Sequence, residues 1–149
     1  MYILDTNIIG YSVYQTAKYP LLIKNVRAKK PSDRWISAVT AEELIAWRFI
    51  PLAGLKSASR AQVVNAYYQF RDILSVIHIY HNQIASFDEE AYDEFLGMPG
   101  AVDLNDRRIA ATALANGFTV VTHNETDFLE IKKAKPALQV ENWVTTDYT

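Results

Sequence analysis

Four acids, Asp5, Glu43, Asp106 and Asp127, stand where a carboxylate can do chemistry in this 149-residue sequence. Asp5, Glu43 and Asp127 each lie just beyond a predicted strand, and Asp106 falls in the first turn of a predicted helix. In a parallel sheet the carboxyl ends of the strands are where ligands gather, so the four side chains can converge at one edge. Packed carboxylates repel one another, and burial drives some of them to bind protons unless a positive charge sits among them. A divalent cation is the natural partner. Oxygen ligands, without cysteine and without a histidine set, favour Mg2+ or Mn2+ over zinc. One or two such ions activate a water, neutralise a phosphodiester and stabilise the leaving oxygen, paired ions standing roughly 3.5–4 Å apart.

Each acid also has a structural use. Asp5, Thr6 and Asn7 are all favoured helix caps. Thr40 followed by Glu43 is a capping-box pattern, and Asp106 at a helix start complements the helix dipole. Asp103, one turn earlier, and Glu42, beside Glu43, compete for the same roles. His78 and His81 on a strand-like segment point to opposite faces, and His123 is the only other histidine, which argues against zinc. The 5 glycines form neither a dinucleotide fingerprint nor a phosphate loop. Ser12, Ser37 and Ser75 lack the context of a nucleophile elbow. Most aromatic residues read as core, with Trp47 and Tyr67 the first candidates for an interface.

The elements that must position these acids alternate. A strand at residues 2–4 leads into a helix through about Tyr14. Pro20 opens an amphipathic helix carrying Leu21, Leu22, Ile23 and Val26 on one side and Lys24, Arg27 and Lys29 on the other. After the break at Pro31-Ser32-Asp33, Trp35–Val39 is a strand of the buried kind, and a helix runs from Thr40 to a stop before or at Pro51. A long helix over Ser57–Leu74 and a third strand at Ser75–Tyr80 follow. Ser86-Phe87-Asp88-Glu89 caps another helix, which Gly97-Met98-Pro99-Gly100 ends. Asp103–Arg108 leads into Ile109–Ala115, a helix of small apolar residues closed by Asn116-Gly117. Strands at Phe118–Thr122 and about Leu138–Glu141 complete the pattern, which implies a single three-layer α/β/α domain over residues 1–149 with a central, mainly parallel sheet.

The length is that of one domain, and a hydrophobic content of 50% supports a real core. There is no cysteine, no signal-like start and no long apolar run, so a cytoplasmic protein without a membrane span is expected. A net charge of −2 makes any contact with nucleic acid local. The basic residues gather early, at Lys18 to Arg34, and late, at Arg107, Arg108, Lys132, Lys133 and Lys135. Asp88, Glu89, Glu90, Asp93 and Glu94 crowd one segment. A solvated helix face accounts for either group.

Taken together, Leu4-Asp5-Thr6-Asn7, Thr40-Ala41-Glu42-Glu43-Leu44, Asp106 through Leu114, and Val121 through Phe128 resemble the PIN-domain family, specifically its VapC-type toxins. The resemblance spans nearly the whole chain, and Glu141-Asn142-Trp143 is similar to the ending of many such chains. It implies that Asp5, Glu43, Asp106 and Asp127 are the four family acids, with Thr6, Asn7, Thr122 and Asn124 supporting them by hydrogen bonds. Two departures stand out: Ala46 and Trp47 replace the usual glycine after the second acid, and the segment after Phe128 lacks the common Pro-Gly-Leu ending. What the resemblance implies is a Mg2+- or Mn2+-dependent endoribonuclease, held inactive by a cognate antitoxin and usually a homodimer. Lys24, Arg27, Lys29 and Lys30, or Arg107 and Arg108, are candidates to hold the RNA backbone, although Arg108 can equally offset the carboxylates. The alternatives are a non-catalytic PIN-like module that binds RNA or protein and, from a third class, a receiver-like domain that accepts phosphate on Asp5.

Overall fold

The computed structural model describes residues 1–149, apart from the side chains of residues 51 and 53. Five strands, β1 (Tyr2–Leu4), β2 (Arg34–Ser37), β3 (Ile84–Ala85), β4 (Thr119–Val121) and β5 (Gln139–Glu141), form a sheet in the order β3-β2-β1-β4-β5. Every pairing is parallel, with Ile3 opposite Trp35 on one side and Val120 on the other. The strands are short, so each reaches the carboxyl edge within a few residues of entering the sheet.

Seven helices cover the sheet: α1 (Thr6–Tyr14), α2 (Pro20–Ala28), α3 (Ala38–Ala53), α4 (Arg60–Ile79), α5 (Glu89–Phe95), α6 (Leu104–Asn116) and α7 (Glu125–Ala134). Side chains on a strand alternate between faces. Ile3 and Val120 accordingly enter one core with Ile109, Ala110, Ala113, Phe128 and Ile131 of α6 and α7. Leu4, Ile36 and Val121 enter the other with Ile8 and Ile9 of α1, Leu22 of α2 and Ile73 of α4. This is the expected three-layer α/β/α arrangement.

Three local expectations change. Ser75–Tyr80 is not a strand but the end of α4: Ile73 and Val76 are buried and Ile77 and Tyr80 pack beside them, a helical spacing, while Ile79 is exposed. The third strand is instead the two-residue β3, too short to show a periodicity. The helix predicted to stop before or at Pro51 runs to Ala53. It also starts earlier, because Ser37 rather than Thr40 caps it: the Thr40 amide donates to Ser37 Oγ at 2.8 Å. Gly117, at φ 64, closes α6 in the left-handed conformation that glycine adopts without steric penalty.

Candidate active site

Asp5 follows β1 and caps α1. Its backbone amide donates to the carbonyl of Val121 at 3.0 Å, which ties the bend to β4. The carboxylate is buried and receives three donors: the Thr6 amide on Oδ1 at 2.6 Å, and Asn7 Nδ2 at 2.6 Å and Thr122 Oγ1 at 2.7 Å on Oδ2. Asn7 accepts from the His123 amide at 3.1 Å, and Thr122 accepts from the Asn124 amide at 2.9 Å. Residues from two stretches of chain, 6–7 and 122–124, thus hold one carboxylate. A carboxylate oxygen has two lone pairs, so Oδ2 is saturated and Oδ1 retains one.

Glu43 has no capping duty. With α3 starting at Ala38, its side chain accepts from Thr6 Oγ1 and from Asn105 Nδ2, the latter at 2.8 Å. Asn124 Nδ2 bridges the remaining acids, at 3.3 Å from Asp106 and 2.8 Å from Asp127. Thr6, Asn7, Thr122 and Asn124 therefore all bond to acids of this cluster. Sequence reasoning missed Asn105, whose only signal is its place beside Asp106.

A cavity of about 410 Å3 opens over the cluster, lined by Asp5, Glu43, Asp106, Thr6, Asn7 and Asn124 together with Gly10, Tyr11, Gln15 and Trp47. Asp127 is not part of this lining; Asn124 ties it to the cluster. Asp103 is the N-cap of α6, accepting from the amides of Asn105 and Asp106, and Glu42 points away into a separate apolar groove beside Ile45 and Phe49.

The electrostatics are those of surplus negative charge. Burial pushes the Asp5 carboxyl above its usual range; Thr122, Thr6 and Asn7 pull it down, and Glu43 adds to the rise. Asp106 is pushed up to about 7, first by burial and then by Asp5, Asp127 and Asp103. No lysine or arginine lines the cavity among the described residues. Lys29 donates instead to the Tyr148 carbonyl at 2.7 Å, Lys24 pairs with Asp147 at 2.6 Å, and Lys30 is exposed on the loop before β2. Arg107 packs over Phe95, and Arg108 bonds to Asn105 at 3.3 Å and lines a different hollow beside Phe87.

A sequence profile described as PIN domain matches residues 2–134. The chain belongs to the PIN-domain family. PIN domains are generally nucleases. Solved structures similar to this PIN domain include FitAB bound to an IR36 DNA fragment, with a TM-score of 0.74, 20% identity and 100% of each chain covered. VapBC-1 from nontypeable Haemophilus influenzae matches with a TM-score of 0.63 and 24% identity over 95% of this chain and 97% of that one. A toxin-antitoxin complex from Klebsiella pneumoniae matches with a TM-score of 0.61 and 19% identity over 96% and 98%. No curated protein is significantly similar to this PIN domain.

Proposed function

We propose that this PIN domain is a Mg2+- or Mn2+-dependent endoribonuclease, the toxin of a cytoplasmic toxin–antitoxin pair. The observation that supports it most is the convergence of Asp5, Glu43 and Asp106 on one cavity whose described lining has no cationic side chain, where burial and neighbouring carboxylates push Asp106 up to about 7. Such a site fits a divalent cation by charge and by its oxygen donors. Among the described residues no three acids or histidines form a finished cage. Mg2+ usually takes one or two carboxylates and keeps several waters. Asp5 and Asp106 would hold the ion, with Glu43 and Asp127 completing the pocket directly or through water. When bound, the ion supplies an activated water and neutralises charge at the phosphodiester.

The chain's own residues do the positioning. Thr122, Asn7 and the Thr6 amide fix the Asp5 carboxylate, Asn105 and Thr6 orient Glu43, and Asn124 holds Asp106 and Asp127 at a set spacing. Asp5→Asn or Asp106→Asn is expected to lower magnesium-dependent cleavage of a cellular RNA pool by at least about 100-fold with circular dichroism unchanged. Full activity in either variant at matched purity overturns the reading. Calorimetry with Mn2+ separates it from a binding-only module, which would show no saturable uptake that these substitutions remove.

The partner assignment is supported by two observations. The similar structures include a toxin-antitoxin complex, and α3 and α4 expose Phe49, Ile50, Tyr67 and Tyr68, each more than half accessible. Apolar surface of this extent marks a protein-contact face. An antitoxin and a second copy of the chain, giving a homodimer, are the occupants we assign to it.

A further inference from the structure

The acids account for only part of the cavity. Its remaining wall is aromatic and belongs to α1 and α3: Tyr11 and Trp47 line it with Gly10 and Gln15. Trp47 stands one helical turn after Glu43 and so on the same face of α3. Trp47 is half exposed, whereas Trp143 and Phe128 in the two cores are fully enclosed. Arg48 lies over the ring at 4.5 Å and over Tyr14 at 5.2 Å, and donates from Nη1 to Gln69 at 2.9 Å. The indole is thus braced by Arg48, which is itself anchored to α4. Gly10 lies beside the ring: a Cβ there would meet the indole edge at an ordinary contact distance of 3.8 Å. Tyr11 is braced likewise, stacked on Tyr19 at 4.2 Å and set edge-on to His123 at 5.7 Å.

Resting on the nuclease reading above, we propose that Trp47, aided by Tyr11, is a stacking platform for a substrate base beside the scissile phosphate. An aromatic face takes up a base without regard to sequence, whereas a base inside a duplex has both faces covered by its neighbours. A braced ring loses little freedom on binding. Gln15 and Asn124, in the same lining, offer amide groups to the edge of a base. The acidic floor and the aromatic wall together match a nucleotide: charge handled at the phosphate, an apolar face at the base.

The test uses a short unstructured oligoribonucleotide, the same strand annealed to its complement, and a series in which each nucleotide in turn is abasic, all with Mg2+. Wild type should cut the free strand and spare the duplex, and one abasic position next to the cleaved bond should raise KM about tenfold. Trp47→Ala should raise KM for the intact strand by a similar factor, more than it lowers kcat, and become insensitive to that abasic position. Trp47→Phe should recover most of the loss. A wild-type enzyme that cuts no RNA overturns the nuclease reading and this proposal with it. A wild type that cuts, with KM of Trp47→Ala within about twofold of it, overturns this proposal alone and assigns the ring to a protein contact. If Trp47→Ala fails to fold, the abasic series on wild type decides: equal KM at every position overturns the proposal.

Discussion

At the scale of single residues, the site is organised by which carboxylate is supported and which is left in the field of the others. Asp5 receives three donors, whereas Asp106 has only the 3.3 Å bond from Asn124 against three neighbouring acids. This has a consequence for stability. In the folded protein Asp106 keeps its proton up to about 7, while in the unfolded chain it releases it near 3.8. Between those values the native state binds more protons than the unfolded one, so stability falls as pH rises through the window and levels off above it. Asp5, shifted in the same direction, adds to the fall. Thermal melts of the metal-free protein should therefore decline from about pH 4 to about pH 7. Asp106→Asn should flatten that decline, and Mg2+ should raise Tm more at about pH 8 than at about pH 5, because only the ionised site binds it. A metal-free Tm that climbs across the window contradicts the elevated carboxyl.

Among the elements, α3 shows how a small shift in a helix start redirects a functional side chain. Thr40 and Glu43 have the spacing of a capping box, and nothing local distinguishes Thr40 from Ser37 as the cap. Packing decides between them: Ser37 is the last residue of β2, fully buried, and both the Thr40 amide and Thr40 Oγ1 bond to its hydroxyl. Starting the helix there leaves Glu43 beyond its first turn, free to meet Thr6 and Asn105. Ser37→Ala should cost about 1–2 kcal/mol in urea unfolding, since it leaves the buried Thr40 amide without its partner and Thr40 Oγ1 with only the 3.5 Å bond to the Leu4 carbonyl. A change below about 0.5 kcal/mol would locate the cap elsewhere. The end of α4 makes the same point about periodicity. Val76, Ile77, Ile79 and Tyr80 read as a β-rich run, yet burial follows the spacing of a helix, because Ile73 and Val76 meet the sheet from one face.

At the scale of the whole molecule, the C-terminal tail closes the fold over α2. Asn25 is fully buried and donates to the carbonyls of Trp143 and Thr146 at 3.0 and 2.8 Å while accepting from the Tyr148 amide at 2.8 Å. Lys24 and Lys29 reinforce it, so these two members of the early basic cluster serve the tail and not the cavity. Asn25→Ala should destabilise by about 2 kcal/mol and raise amide exchange over residues 143–149 with α1 still protected. Uniform loss of protection would show instead that the tail unfolds only with the whole domain. The sequence by itself determined the parallel three-layer plan and the junctions carrying Asp5, Asp106 and Asp127, because strand-to-helix switches and caps are written in local residue types; the support from Thr6, Asn7, Thr122 and Asn124 was expected only from the family resemblance. Tertiary structure alone decided that Ser37 caps α3, that Glu43 faces Thr6 and Asn105, that Lys24 and Lys29 hold the tail and that Trp47 walls the cavity. Those outcomes depend on which distant groups compete for a donor or a face, and such a competition leaves no trace in local spacing.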